Sequence, residues 1–164
     1  MPAHPKYSLV IPIFNEQSAL PVLFHRLDRV LAALDGEAEV ILVDDGSTDC
    51  GPIILEARAK TDPRYKFIGL SRNFGQQLAM TAGLDAARGD AVILMDADLQ
   101  DPPEVIHLLV AKWTEGFDIV YAKRRSRAGE SWFKLATRPR HRQRLVEVQP
   151  LPRDARHRAG RGRA

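Results

Sequence analysis

Two aspartates and a glutamine stand two residues apart where an apolar run ends. Asp96, Asp98 and Gln100 follow the run AVILM at 91–95, which is typical of a buried strand. In an extended segment alternate side chains point the same way, so both carboxylates can face one cation. Proteins usually hold Mg²⁺ or Mn²⁺ by such oxygens together with substrate phosphates, so the spacing favours a divalent-metal site. The alternative is a solvated acidic turn before the next helix, a role that Asp101 already fills.

A second pair of carboxylates, Asp44 and Asp45, directly follows the apolar run EVILV at 39–43. A carboxylate at a strand end can accept hydrogen bonds from the edge of a nucleobase or from ribose hydroxyls. Gly46 permits the tight turn that must follow. The alternative is an Asx turn in which Asp49 caps the next helix. The residues alone leave both interpretations open.

The elements that position these residues alternate along the chain as apolar runs and amphipathic stretches. Strands are predicted at 7–13, 39–43, 66–70, 91–95 and 117–121. Helices are predicted at 16–34, 49–60, 75–88 and 102–115, with a further helix beginning at 131–137. Gly89 is expected to end the third helix. This alternation predicts an α/β fold, a mostly parallel sheet with helices on both faces.

Polar residues follow every predicted strand. In an open parallel sheet, ligands bind beyond the carboxyl ends of the strands. Surface turns favour Asp, Asn and Gly in any case, but five such clusters on one edge predict a binding site. The clusters occupy 12–16, 44–49, 71–75, 96–101 and 122–125.

Several classes of protein are excluded by what the sequence lacks. No G-x-G-x-x-G follows the first strand and no G-x-x-x-x-G-K-[ST] occurs, which argues against a dinucleotide-dependent oxidoreductase and a P-loop hydrolase. The lone Cys50 excludes an internal disulfide framework and a multi-cysteine metal site. An aspartyl nucleophile of the phosphatase type is disfavoured, because such motifs usually follow the first strand rather than the fourth.

Charge divides the chain into two parts. Residues 1–137 carry 15 Lys and Arg against 19 Asp and Glu, whereas residues 138–164 carry 9 Arg against two acids. We expect a folded domain over 1–137 and a disordered Arg-rich tail over 138–164. A nucleic-acid-binding arm is the alternative for the tail, but basic tails bind polyanions nonspecifically, so no specific nucleic acid is expected.

The expected location is cytoplasmic. No apolar run approaches the ~20 residues that a membrane-spanning helix needs. The segment 1–7 lacks the basic and then apolar pattern of a signal peptide.

Five stretches together resemble one known family. They are VIPIFNE (10–16), VDDGSTD (43–49), SRNFGQQLAMTAGLDAARGD (71–90), MDADLQDPPE (95–104) and YAKRRSRAGESWFK (121–134). In this order they resemble the family 2 inverting glycosyltransferases of GT-A fold. Within that family they are most similar to the polyprenyl-phosphate glycosyltransferases typified by dolichyl-phosphate mannose synthase. The resemblance spans about residues 6–137.

The resemblance implies roles for the residues at the strand ends. Asp96, Asp98 and Gln100 would hold Mg²⁺ or Mn²⁺ against the diphosphate of a GDP- or UDP-sugar. The expected nucleotide-sugar-binding residues are Pro12, Phe14, Glu16, Asp44, Asp45, Arg72 and Asp96. Asp45, with Asp44 as a second candidate, would contact the base or the ribose.

The resemblance also implies a reaction and an acceptor. Asp98 and Arg124 are the expected catalytic residues, and Arg124 would face the phosphate of a lipid acceptor at the membrane surface. Arg72 is a weaker candidate for the same region. The sugar would be transferred with inversion, by a protein that is cytoplasmic or peripheral on the cytoplasmic face of the membrane. A homo-oligomer is left open.

The match to the family stops after GESWFK (129–134). Family members continue with further catalytic domain, and here the Arg-rich tail takes its place. We expect that the C-terminal part of the fold is missing because the reading frame is truncated or frameshifted. The alternative function is therefore a non-catalytic nucleotide-binding remnant of such an enzyme.

Overall fold

The computed structural model describes residues 4–124 and 146–150, and the chain divides after Glu104 into two compact units. The first unit alternates strands and helices: β1 Tyr7–Ile13, α1 Leu20–Ala33, β2 Ala38–Asp44, α2 Gly51–Thr61, β3 Tyr65–Gly69, α3 Gln76–Ala86 and β4 Ala91–Leu94. A 3₁₀ turn follows at Pro103–Val105. The second unit contains α4 Ile106–Thr114, β5 Val120–Arg124 and β6 Val146–Pro150.

The four strands of the first unit form one parallel sheet in the order β3-β2-β1-β4. The two central strands are apolar along most of their length, and every residue of β1 is buried. Such continuous apolar runs are typical of strands covered on both faces. In the register of the sheet, Leu9 lies beside Val40 on one side and Ile93 on the other.

Helix α3 covers one face of this sheet. Val10, Ile41 and Val43 point to that face and form a buried cluster with Ala79 of α3. The approach is close at Gly83, where an added Cβ would stand 2.2 Å from Val10 Cγ1. Glycine at that position therefore lets α3 lie directly on the central strands.

Helices α1 and α2 cover the opposite face. Val40 and Tyr65 are paired in the register, one residue out of step with Ile41, so they point away from α3. Phe24 of α1 meets the Tyr65 ring edge-on, with 5.7 Å between centroids. The Arg58 guanidinium of α2 lies 4.2 Å from the same ring. The predicted α/β architecture with helices on both faces is confirmed.

The second unit corrects the prediction for the fifth strand. β5 begins at Val120 rather than Phe117, and it pairs antiparallel with β6 instead of extending the parallel sheet. Its partner at Val146–Pro150 lies in a segment for which the sequence predicts no element. The cluster at 122–125 is therefore not the fifth strand end of this sheet.

The helix ends also differ from the predictions. α1 begins at Leu20 rather than Glu16, because residues 15–17 bond to the neighbouring loop. α3 ends at Ala86, and Gly89 does not cap it: the Gly89 amide donates to Ser8 Oγ at 2.8 Å. The helix expected at 131–137 and most of the Arg-rich tail lie outside the described residues. Within 4–124 and 146–150, none of the helices has the length and apolar character to cross a membrane.

Candidate functional site

A cleft of about 300 Å³ lies at the carboxyl edge of the four-stranded sheet. The loops after all four strands contribute to it. Since β1 is flanked by β2 and β4, the crossovers change direction beside β1, which is where open α/β sheets bind ligands. The described lining residues are Pro12, Ile13, Phe14, Glu16, Asp45, Asn73, Gly75, Gln76, Asp96, Ala97 and Asp98.

The loop after β1 forms one wall of the cleft. Phe14 and Glu16 line the cleft, and the Phe14 side chain is 44% exposed. The residues between and after them, Asn15 and Gln17, bond instead to the loop after β2. Asn15 adopts φ +55° and accepts the Thr48 amide at 2.8 Å through its side-chain oxygen. The wall is thus held by its neighbour before any ligand arrives.

The Gln17 contacts complete the connection between these two loops. The Gln17 side-chain oxygen accepts the Cys50 amide at 2.8 Å, and the Gln17 amide donates to Asp49 Oδ2 at 3.0 Å. Asp49 Oδ1 also accepts the amide of Gly51, the first residue of α2, at 2.8 Å, so Asp49 forms the Asx turn that the sequence suggests, one residue before the cap position. The cap position of α2 is Cys50, without a side-chain hydrogen bond.

Of the two acids at the end of β2, Asp45 lines the cleft and Asp44 does not. Asp45 is 2% exposed, and its two carboxylate oxygens accept the amides of Phe74 and Gly75 at 2.8 and 2.9 Å. The Asp44 carboxylate accepts the amide of Ser47, three residues on, at 3.2 Å, and so holds the turn that follows β2. The pair is thus divided between a cleft residue and a turn residue.

Asp96 and Asp98 lie where the chain leaves β4, and both line the same cleft. The segment turns at 97–98 instead of staying extended, with Ala97 buried between the two acids. Asp96 Oδ1 accepts the Gln76 side-chain amide at 2.6 Å, and Asp98 Oδ1 accepts the Gln100 backbone amide at 2.9 Å. The Gln100 side chain is exposed, and Gln100 is not among the described lining residues.

The cleft is strongly acidic. Four carboxylates line it, those of Glu16, Asp45, Asp96 and Asp98, and none of the described lining residues is Lys, Arg or His. None of the four forms an ion pair with another described residue. A diphosphate entering this cleft would meet only like charge from these side chains.

A divalent ion fits this set of donors. Carboxylate oxygens are the ligands that Mg²⁺ and Mn²⁺ prefer, and Mg²⁺ is commonly held by one or two carboxylates plus phosphate oxygens. Among the described residues no three His, Cys, Asp or Glu side chains form a complete metal site. Asp96 and Asp98 therefore suit an ion that takes its remaining ligands from a bound phosphate.

The two arginines nominated from the sequence are not among the described residues of the cleft. Arg72 is exposed, and its guanidinium lies 4.8 Å from the Phe74 ring centre. Arg124 belongs to β5 in the second unit, where only its backbone is described.

The sequence predicts no individual role for two polar lining residues, Asn73, which lies in the polar cluster at 71–75, and Gln76, which follows that cluster. The available signal was their place after β3, in a loop that begins a helix at the same edge of the sheet. The pair Gln76–Gln77 gave no indication of which glutamine faces the cleft.

The model of the family described as Glycosyl transferase family 2 matches residues 8–162. This chain belongs to that family. The predicted resemblance is therefore confirmed, and the match includes the segment that the sequence analysis set apart as a tail.

Curated relatives share most of this chain. The uncharacterized glycosyltransferase YkcC of Bacillus subtilis is 45% identical over 137 residues, 84% of this chain and 42% of that protein. An undecaprenyl-phosphate 4-deoxy-4-formamido-L-arabinose transferase of Proteus mirabilis is 47% identical, over 79% of this chain and 40% of its own. The bactoprenol glucosyl transferase of Shigella phage SfV is 44% identical, and the match covers 80% of this chain and 43% of that protein. This chain spans less than half the length of these relatives.

Solved structures support the fold. A mannosyltransferase from Pyrobaculum calidifontis in complex with GDP-Man and Mn²⁺ is 26% identical, with a TM-score of 0.52 over 68% of this chain and 33% of its own. TarS 1–349 of S. aureus in complex with UDP is 27% identical, with a TM-score of 0.57, and the match covers 77% of this chain and 37% of the TarS chain. The expected GT-A fold is confirmed, and the chain carries part of it.

Proposed function

We propose that this chain forms the donor-binding part of a glycosyltransferase that moves a sugar from a nucleoside-diphosphate sugar to a polyprenyl phosphate with inversion. The observation that carries the proposal is the cleft itself. It brings Asp45, Asp96 and Asp98 together at the switch point of the sheet, with no basic side chain among the described lining residues. Relatives named for transfer to bactoprenol or undecaprenyl phosphate support the choice of acceptor.

The nucleoside would occupy the side of the cleft formed by the loops after β1 and β2. Asp45 keeps acceptor capacity after taking the Phe74 and Gly75 amides, because each carboxylate oxygen has two lone pairs. It would accept from the base or the ribose, and the exposed Phe14 ring offers a surface for stacking. Pro12 and Glu16 would complete this end.

The diphosphate would lie toward Asp96 and Asp98. These two carboxylates would hold Mg²⁺ or Mn²⁺, and Gln100 stays a third candidate from the sequence. A bound divalent ion would offset the negative charge that develops on the departing nucleoside diphosphate. The two aspartates orient the donor by placing that charge compensation at one end of the cleft.

The acceptor needs little help from a base. A lipid phosphate is already anionic near neutral pH, so its oxygen can attack the anomeric carbon while the bond to the diphosphate breaks on the opposite face. Attack from that face inverts the configuration. Arg124 would position the acceptor phosphate as a fixed cation, with Arg72 as the second candidate. We place this reaction at the cytoplasmic surface of the membrane, where a lipid phosphate is accessible.

Calorimetry with GDP, UDP and their sugars, with and without Mn²⁺, tests the donor half of the proposal. We expect Mn²⁺-dependent binding that the double variant Asp96→Asn/Asp98→Asn weakens by at least about 100-fold, since two charged contacts at ~1.5–3 kcal/mol each contribute at least ~3 kcal/mol. The matched control is Asp85→Asn/Asp90→Asn, which removes the same charge from exposed positions outside the cleft. Undiminished binding in the cleft variant would contradict the metal assignment.

Transfer to undecaprenyl phosphate in detergent tests the catalytic half. Radiolabelled sugar should pass from the preferred donor to the lipid fraction, with the anomeric configuration inverted. Donor binding without any transfer would contradict the catalytic proposal and favour a nucleotide-binding remnant.

A further inference from the structure

Two carboxylates of the cleft are held by one short segment, the residues 74–76 that begin α3. Asp45 accepts the backbone amides of Phe74 and Gly75. The next residue, Gln76, donates its side-chain amide to Asp96 Oδ1 at 2.6 Å, across a separation of 20 residues in sequence. The same three residues therefore fix an acid after β2 and an acid after β4.

The hydrogen bond between Gln76 and Asp96 is short, and only Gln76 can be its donor. An ionised carboxylate only accepts hydrogen bonds, so the amide nitrogen of Gln76 faces it. Hydrogen bonds to an ionised acceptor are about twice as strong as neutral ones. Asp96 is half-buried and Gln76 is exposed, so the bond restrains the more enclosed of the two side chains.

A neutral donor suits a carboxylate that must bind a cation. A lysine or arginine at position 76 would neutralise Asp96 and compete with the ion. The glutamine amide restricts the rotation of the carboxylate and leaves its charge in place. Neutral hydrogen-bond partners of this kind orient metal ligands, and their loss typically weakens metal binding 10–100-fold.

We propose that Gln76 is a positioning residue, which holds the Asp96 carboxylate in the orientation that receives a divalent ion. This inference rests on the proposed function, because it takes Asp96 as a metal ligand. Gln76 acts through Asp96, and no contact with the substrate is required of it.

The test uses the full chain, with the Mn²⁺ complex of GDP or UDP as the ligand and calorimetry as the measurement. The phosphates supply the remaining ligands of the ion. Gln76→Ala should weaken Mn²⁺ binding about 10-fold. Gln76→Met keeps the length and the helix-forming tendency of the side chain but lacks the amide. It should weaken Mn²⁺ binding as much as Gln76→Ala does. Gln77→Ala is the matched control, since Gln77 is the next residue of α3 and is not among the described lining residues. It should bind Mn²⁺ like the unmodified chain.

The unfolding midpoint without metal separates positioning from folding. We expect the same midpoint in the unmodified chain and in the three variants, because Gln76 and Gln77 are exposed. Mn²⁺ affinity that is unchanged in Gln76→Ala, or restored in Gln76→Met, would overturn the inference. An equal loss in Gln77→Ala would overturn it as well. Failure of the unmodified chain to bind the Mn²⁺ complex of GDP or UDP would instead contradict the proposed function.

Discussion

The sheet carries carboxylates both where its parallel strands begin, the amino edge, and where they end, the carboxyl edge. The carboxylates of the two edges differ in their hydrogen-bond partners. At the amino edge, Glu39 is 5% exposed and accepts Ser8 Oγ at 2.6 Å and the Arg88 amide at 2.8 Å. Its second oxygen forms an ion pair with Lys66. At the carboxyl edge, Asp45 and Asp96 accept only backbone or side-chain amides among the described residues.

The difference lies in the charge of the donors. Lys66 balances the charge of Glu39 within the protein, so removing either partner would leave a charged group unpaired. The amides at the carboxyl edge orient their carboxylates and leave the negative charge uncompensated. Under the proposed function, this uncompensated charge attracts the divalent ion to the cleft.

The largest expected effect follows from removing the acid at the amino edge. Glu39→Ala leaves Lys66 without its partner and removes the acceptor of Ser8 and of the Arg88 amide. We expect the free energy of unfolding to fall by about 3 kcal/mol, the lower end for a broken buried pair, because Lys66 is partly exposed. Urea denaturation of the full chain measures it.

The matched change at the carboxyl edge is Asp98→Ala. Asp98 is exposed, so its removal should change the free energy of unfolding by less than about 0.5 kcal/mol while Mn²⁺ binding is lost. Equal destabilisation by the two variants would show that the carboxylates of both edges serve the fold.

A loss of stability smaller than that of Glu39→Ala is expected at Gly75, whose backbone amide connects the start of α3 to Asp45. Gly75 adopts φ +95°, and a Cβ there would meet no atom within 4 Å, so Gly75→Ala adds backbone strain alone. The expected cost is about 1–3 kcal/mol, because φ +95° with ψ 150° is a backbone region that essentially only glycine adopts. Gly116→Ala is the control, because Gly116 adopts φ +98° and is not among the described residues of the cleft.

Mn²⁺-dependent nucleotide binding should separate these two glycine variants. Gly75→Ala should weaken it, because residues 74–76 contact both Asp45 and Asp96. Gly116→Ala should leave it unchanged at a similar stability. Equal binding by both variants would contradict the role of this segment in holding the cleft.

Residues with strong individual signals were predicted from the sequence. The strand Tyr7–Ile13 has its predicted bounds, since a central strand buried on both faces is apolar at every position. Asp45, Asp96 and Asp98 were nominated as acids at strand ends, and all three line the cleft. For this strand and these three acids, the residue types along a short segment are enough to predict where they lie.

Features that depend on a distant partner were not predictable. β5 takes its bounds and direction from β6, whose segment VEVQP alternates apolar and polar residues over only four positions, within an Arg-rich stretch. Gly89 looks like a helix cap but serves the amino edge through Ser8. Gln76 and Gln77 are identical in type, and only the tertiary structure shows which one contacts Asp96.

The smallest expected effect is a difference in pH dependence at the amino edge. Burial alone would raise the pKa of Glu39, but the hydrogen bonds from Lys66, Ser8 and the Arg88 amide outweigh it, so the pKa lies below its usual 4.5. A lowered pKa in the folded state means that the stabilisation is present above about pH 4.5 and is lost as the pH falls through the folded value. Glu39→Gln should therefore lose less stability on acidification than the unmodified chain.

Urea denaturation from about pH 6 to pH 3 measures this difference. The pKa values of Asp35, Asp62 and Glu104 are also lowered by their partners, but these acids are present in both proteins, so the difference between the two curves isolates Glu39. Lys66→Met should bring the unmodified curve toward that of Glu39→Gln, because it removes the strongest of the contacts that favour the ionised form. Parallel curves for the unmodified chain and Glu39→Gln would mean that the charge of Glu39 is not balanced within the fold, and the contrast between the two edges would fail.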